Sequence, residues 1–263
     1  MKIRLASALV AATLALAGCS SGAAAVSSHA PTTGTSTAPA PAGDLTVFAA
    51  ASLQETFTTI ANHLMATNPG LRITFSFGSS GTLTQQLLAG APADVYASAN
   101  TATMDAAASV VGDPTVFTHN SLVIVVPKGN RAGITGLADF ARPELKIALC
   151  DPSAPCGSAA QTVFQKAGIT AAPDTLGQDV KATLNDVTSG EVDAALVYQT
   201  DAIAAGDAVE TITFPQASSA INDYPIAVVK GTKNPGAAHA FVAAVLSPAG
   251  QKVLTDAGFD PAK

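Results

Sequence analysis

Leu45-Thr46-Val47-Phe48-Ala49-Ala50-Ala51-Ser52-Leu53-Gln54-Glu55 passes from one structural period to another within a few residues. Its first half is an apolar run with β-branched and aromatic members, the mark of a buried strand. Its second half leads into Leu53, Phe57, Ile60, Ala61, Leu64 and Met65, spaced to share one face of a helix. Ser52 has the side chain of a helix N-cap, and Glu55, three residues on, completes the pattern of a capping box. A buried strand that turns directly into an amphipathic helix is the repeating unit of sheets covered by helices.

The alternation continues outward from this stretch. Asn68-Pro69-Gly70 breaks the first helix, and strands are expected at 71–77, 95–99, 122–126, 146–150, 192–198, 210–214 and 225–229. Helices are expected between them at 82–89, 101–110, 158–167, 181–189 and 202–205, with two more, 237–246 and 250–257, closing the chain. Strands alternating with helices imply an α/β fold of parallel sheets with helices on both faces. No internal repeat is visible.

Ahead of this domain, Lys2 and Arg4 precede an apolar run over 5–17, too short to span a hydrocarbon core of about 30 Å. The run ends in Leu16-Ala17-Gly18-Cys19, the pattern of a bacterial lipoprotein signal. Residues 1–18 are therefore expected to be a cleaved signal peptide, and Cys19 a lipidated first residue. Residues 19–43 are nearly all Ser, Ala, Thr, Pro and Gly, the composition of a flexible tether. The folded domain is expected at 44–263, anchored to the outer face of the cytoplasmic membrane.

The chain carries 13 basic and 19 acidic residues for a net charge of −6, and two of its cations, Lys2 and Arg4, leave with the signal. An acidic domain with no basic cluster and no Trp excludes nucleic acid and polybasic membrane binding. An anionic ligand would have to be held by local dipoles rather than net charge. Of the three cysteines, Cys150 and Cys156 remain after Cys19, and their close spacing in an oxidising compartment suggests a disulfide; two buried free thiols are the alternative. His29, His63, His119 and His239 show no metal-ligand spacing, so no zinc site is expected.

α/β folds of this kind bind ligands beyond the carboxyl ends of their strands, where helix N-termini gather. Four segments at such positions share one chemistry: Ala49 to Glu55, Gly78-Ser79-Ser80-Gly81-Thr82, Asp151-Pro152-Ser153-Ala154-Pro155-Cys156-Gly157-Ser158, and Gly177-Gln178-Asp179-Val180. Each opens a helix with small residues, offering unpaired N–H groups and the positive end of a helix dipole to an oxyanion. Each signal alone is equally that of an ordinary cap or turn.

Val47-Phe48-Ala49-Ala50-Ala51-Ser52-Leu53 and Phe77-Gly78-Ser79-Ser80-Gly81-Thr82-Leu83 resemble the two signature loops of the periplasmic molybdate-binding protein family. Ala89-Gly90-Ala91-Pro92-Ala93-Asp94-Val95, Asn120-Ser121-Leu122-Val123, Val197-Tyr198, Tyr224-Pro225-Ile226-Ala227-Val228-Val229 and Gly258-Phe259 are similar to further stretches of that family, in order along the whole domain. The resemblance implies a two-lobed, type II periplasmic-binding fold of the Venus-flytrap kind with two chain crossovers. One lobe would hold about 44–118 and 224–263, the other about 119–223. It implies a molybdate held by neutral donors: Ser52 and Ser80 through hydroxyl and N–H, Cys156 and Val180 through N–H, and Tyr198 through its phenol. The 151–157 loop departs from the family pattern by being one residue shorter and by carrying Cys156 where a small residue is usual.

The resemblance also implies the partners: molybdate, with tungstate beside it, and the membrane permease of an ABC importer, served by a monomer with no cofactor and no catalytic role. A donor-only site favours a fully deprotonated oxyanion over hydrogen phosphate, and a cavity fitted to molybdate leaves the shorter sulfate with long contacts. Another tetrahedral oxyanion such as sulfate or phosphate is the alternative ligand. A serine hydrolase is remote, because neither Ser52 nor Ser80 sits in a Gly-x-Ser-x-Gly elbow. Tyr96, Tyr198 and Tyr224 stand apart in sequence rather than in the pairs that a ferric-ion site would use, and no nucleotide-binding fingerprint occurs.

Overall fold

The computed structural model describes residues 40–262. The expected signal peptide, the lipidated Cys19 and the tether up to residue 39 lie outside the described residues. Among the described residues no helix is long and apolar enough to cross a membrane.

The chain opens with strand β1 (Gly43–Ala50), a single 3-10 turn (Ala51–Leu53) and helix α1 (Gln54–Thr67). It continues through β2 (Leu71–Gly78), α2 (Ser80–Leu88), β3 (Val95–Ala97), α3 (Thr101–Ala106) and β4 (Thr115–Asn120). Only Ser121 separates β4 from β5 (Leu122–Pro127), which lies in a different sheet. There follow β6 (Ile147–Cys150), α4 (Pro155–Ala167), β7 (Thr175–Gly177), α5 (Val180–Thr188), β8 (Ala194–Tyr198), α6 (Gln199–Ala205) and β9 (Val209–Ile212). The chain then returns to the first sheet as β10 (Asn222–Val228), and ends with α7 (Pro235–Leu246), α8 (Pro248–Asp256) and β11 (Asp260–Pro261).

Six strands form the first sheet in the order β11-β4-β10-β3-β1-β2, and five form the second in the order β7-β6-β8-β5-β9. The chain therefore crosses twice between sheets, at Ser121 and between Ile212 and Asn222. Each sheet has its own core. Phe57 anchors one, edge-on to Phe241 at 5.4 Å between ring centres and beside Phe117 at 5.7 Å. Ile124, Val125, Phe140, Ile147, Val163 and Leu196 fill the other. Full burial of such a side chain is worth roughly 1.5–3 kcal/mol, so each sheet has its own source of cohesion.

Strand register decides which loops emerge together. β1 runs parallel to β2 with Ala50 opposite Gly78, so the segments after both strands emerge side by side. In the second sheet β6 runs parallel to β7 with Cys150 opposite Gly177, and again two loops leave together.

The expectation of parallel sheets needs correcting. Both sheets are mixed: β10 is antiparallel to β3 and β4, and β5 is antiparallel to β8 and β9. A strand delivered by a crossover helix on its own sheet is held to the parallel direction. β5 and β10 arrive from the other sheet and are free of that constraint. β4, β7 and β11 are not expected from the sequence: β7 and β11 have only three and two residues, and β4, ending in the polar Thr118-His119-Asn120, has no alternation to reveal it. Several helices start earlier than the apolar periodicity suggests, α2 at Ser80 and α4 at Pro155, because their first residues are small and carry no period. α3 stops at Ala106, and Val111 bridges Val229 instead of extending it.

Candidate functional site

A small cavity, with about 10 Å³ of room for the centre of a water-sized guest, lies where the two pairs of loops face each other. Ser52, Ser80, Cys156, Val180 and Tyr198 all line it, so the structure brings the five expected site residues together from two sheets and five elements.

From the first sheet come the turn after β1 and the start of α2. Ser52 is buried and does not cap α1, contrary to the capping-box expectation: the N-cap position is Leu53, and no side chain caps it. The 3-10 turn rotates Ser52 inward, where its Oγ lies 2.9 Å from the phenol oxygen of Tyr224. Glu55, the other half of the expected box, turns outward instead. Ser80 is the first residue of α2, and its Oγ accepts the Ala99 N–H at 3.0 Å. Its carbonyl accepts the Tyr96 phenol at 2.9 Å, fixing the turn from behind. Both serines are thus engaged on their inner side.

From the second sheet come the starts of α4 and α5 and the end of β8. Pro155 occupies the first turn of α4 and has no N–H, so Cys156 offers the first free amide of that helix. The structure joins Cys150 to Cys156 through a disulfide, with Cα atoms 5.8 Å apart. Gly157 packs so tightly on the carbonyls of Cys150 and Asp151 that no side chain fits there. Asp179 caps α5 by accepting the N–H groups of Lys181 at 2.9 Å and Ala182 at 3.0 Å, which leaves the Val180 amide at the cavity. The Tyr198 phenol is fully buried in this wall and has no hydrogen-bond partner. Burial, first, holds its proton on by raising its pKa, with Tyr224 and Asp201 adding to the effect.

No Lys or Arg lines the cavity; Asp179 is its one charged residue, and its Oδ1 is committed to the α5 amides. The walls approach closely. A Cβ on Gly81 in α2 would lie 2.6 Å from the Ser153 carbonyl of the opposite loop. At the cavity's edge Lys181 spans the two sheets, its Nζ 2.8 Å from Glu55 Oε1 and 3.0 Å from Asp201 Oδ1. Asp201 is completely buried, and its carboxylate oxygens make no well-aligned hydrogen bond. Its pKa is pushed up to about 6, mainly by burial, which outweighs the pull of Lys181. Among the described residues no cluster of His, Cys, Asp or Glu could hold a metal ion.

Sequence reading placed Tyr224 and Asn120 in family-like stretches but gave neither a role, and missed the Lys181 bridge. The partners of these contacts lie between 20 and 172 residues away in the chain, and no local pattern marks them.

The chain is similar to known proteins. The family model described as bacterial extracellular solute-binding protein matches residues 45–260. The molybdate-binding protein ModA of Mycobacterium tuberculosis is 42% identical over 262 residues, covering 98% of each chain. The molybdate-binding protein ModA of Escherichia coli is 35% identical over 73% of this chain and 79% of its own. The solved periplasmic molybdate-binding protein of Azotobacter vinelandii superposes with a TM-score of 0.71 over 83% of this chain and all of that one, at 20% identity. At that identity the likeness is one of fold.

Proposed function

We propose that this chain, which belongs to the bacterial extracellular solute-binding protein family, captures molybdate outside the cytoplasm and delivers it to an ABC importer. It is a solute-binding protein, not an enzyme. The observation that carries the ligand assignment is the donor set: two serine hydroxyls, a phenol and the first amides of several helices face one small cavity that no cation lines.

A dianion that loses its water must recover those hydrogen bonds or bear a large desolvation cost. Hydrogen bonds to a charged group are worth roughly 1.5–3 kcal/mol each, so several converging donors replace the lost hydration without a Lys or Arg. Helix N-termini add their dipoles to the same point. Hydrogen phosphate brings an O–H of its own into a lining made chiefly of donors, in which Asp179 is the one carboxylate and is already engaged in capping α5. Sulfate carries no proton and is rejected by size, whereas tungstate is nearly isosteric with molybdate and is accepted.

In this reading each sheet with its helices is one lobe, the lobes meeting at about 118–119 and 223–224, and the ligand closes them. Cys19 takes the lipid that holds a monomeric domain at the outer face of the cytoplasmic membrane, close to the permease. The Cys150–Cys156 bridge is kept in the exported protein, where it stiffens the loop that presents the Cys156 amide.

Titration calorimetry of the purified protein against molybdate, tungstate, sulfate and phosphate tests the assignment. One molybdate per chain, close competition by tungstate and much weaker sulfate binding are expected. Equal affinity for sulfate and molybdate would remove molybdate and leave the oxyanion class.

A further inference from the structure

We infer that Tyr224, oriented by Asn120, is a positioning residue that turns the Ser52 hydroxyl outward as a donor and so makes the site select oxyanions that carry no proton. This rests on the molybdate-capture proposal and deepens it.

Asn120 sits at the first crossing between sheets, and its side-chain oxygen accepts the Ser121 N–H at 3.0 Å. With that oxygen engaged, its amide hydrogens point the other way. One goes to Thr200 Oγ1 at 2.9 Å, and the other faces the Tyr224 oxygen at 3.5 Å. The Tyr224 ring is completely buried and held edge-on by Phe259 at 5.4 Å and Phe117 at 6.4 Å, so its hydroxyl has a fixed address. Its shortest hydrogen bond is to Ser52 Oγ, at 2.9 Å, with the Tyr198 ring packed edge-on beside it at 6.0 Å.

Either hydroxyl of that pair could be the donor on distance alone. Two facts give the direction. A phenol, with a pKa near 10, is a much stronger acid than an aliphatic hydroxyl and the poorer acceptor. Asn120 Nδ2 also presents hydrogen, not lone pair, to the Tyr224 oxygen. The Tyr224 hydrogen therefore points to Ser52, and burial keeps it on the phenol at every working pH. Ser52 has spent an acceptor position inward and has its own hydrogen left for the cavity.

Ser80 reaches the same state by a simpler route, since the Ala99 amide can only donate to it. Of these two serine hydroxyls, Ser52 is the one whose polarity depends on another group that could in principle turn. Without Tyr224 its lone pairs would be free to accept a proton from a ligand such as hydrogen phosphate.

Calorimetry on the purified full chain at pH 7.5, with molybdate and inorganic phosphate as probes, tests this in a cycle of wild type, Tyr224→Phe, Ser52→Ala and the double variant. Tyr224→Phe is expected to weaken molybdate about tenfold, the scale of one hydrogen bond to a charged group, and to weaken phosphate less. The molybdate-to-phosphate ratio therefore falls. On the Ser52→Ala background the same substitution should change molybdate affinity by less than about twofold, because its route of action is gone. Unchanged affinity and ratio in Tyr224→Phe, or an undiminished loss on the Ser52→Ala background, overturns the inference. If Tyr224→Phe melts well below wild type, Asn120→Ala replaces it in the cycle, with a loss of about threefold expected through the same hydroxyl. A wild type that binds no molybdate overturns the functional proposal and this inference with it; a wild type that binds while Tyr224 is silent overturns this inference alone.

Discussion

The two walls of the cavity are built to different degrees of completion. On the first-sheet side, Ser52 and Ser80 are already hydrogen-bonded behind the site, and Tyr96 and Tyr224 lock the turns that carry them. On the second-sheet side, the buried side-chain atoms without a hydrogen bond gather: the Tyr198 phenol and both carboxylate oxygens of Asp201. Among the described residues no other buried side-chain polar atom stands unsatisfied. A buried polar group without a partner costs about 1–3 kcal/mol. The first wall is therefore finished by the fold itself, whereas on the second the Tyr198 phenol faces the cavity as a donor without a partner; Asp201 lies outside the cavity lining and has Lys181 beside it.

The largest expected break in this contrast is at Asp201. Its folded pKa, raised from an ordinary 3.8 to about 6 chiefly by burial, means that the folded state holds the proton more tightly than the unfolded chain. Lys181 opposes the shift, while Glu55 and Asp179 add to it. Between pH 4 and 6 the folded state then binds more protons, so stability falls as pH rises through that window and stays lower above it. A gap of this size corresponds to about 3 kcal/mol. Asp201→Asn should flatten the fall, leaving denaturant stability nearly equal at pH 4.5 and 7.5 in the ligand-free protein. A variant that keeps the full pH dependence would show that another group causes it.

Next in size is Tyr198→Phe, which removes the unsatisfied phenol from the second wall. Molybdate affinity should drop by roughly 1.5–3 kcal/mol, ten- to hundredfold, while the melting temperature holds or rises slightly because a buried orphan is gone. Wild-type binding by this variant would take Tyr198 out of the ligand set and reduce the contrast between the walls.

The smallest effect is expected for Cys150→Ser/Cys156→Ser. The short loop between the cysteines bounds the stabilisation from bridging at about 2 kcal/mol. The variant should fold, melt a little earlier and bind molybdate a few-fold more weakly, as the loop bearing the Cys156 amide must be ordered on binding. Thiol labelling of the oxidised, denatured wild type checks the premise: two reactive thiols from these positions would remove the bridge.

Much of the site is legible in the chain itself. Val47 to Leu53 and Phe77 to Leu83 announce both the strand-to-helix turns and the loops that line the cavity, since small residues at a helix start are a local signal. The α/β class follows from the change of period along the chain. What local reading misassigns is the work of particular side chains. Ser52 and Glu55 look like a capping box, because their spacing is that of one. Packing sends Ser52 to Tyr224 and Glu55 to Lys181 instead, contacts of 172 and 126 residues' separation. β5 and β10 run against the direction that alternation suggests, because the chain changes sheets at Ser121 and again before Asn222.

By itself the sequence determined where strands give way to helices, which small-residue turns expose amides, and that any anion must be met by dipoles in so acidic a chain. These properties depend on neighbours within a turn or two, and the chain states them directly. Only the tertiary structure decided that four such turns converge on one cavity, that Tyr224 stands behind Ser52, and that the unsatisfied groups collect on one wall. Those depend on register and on packing between residues far apart in the chain, where a one-residue slip in a strand would turn every side chain to the other face.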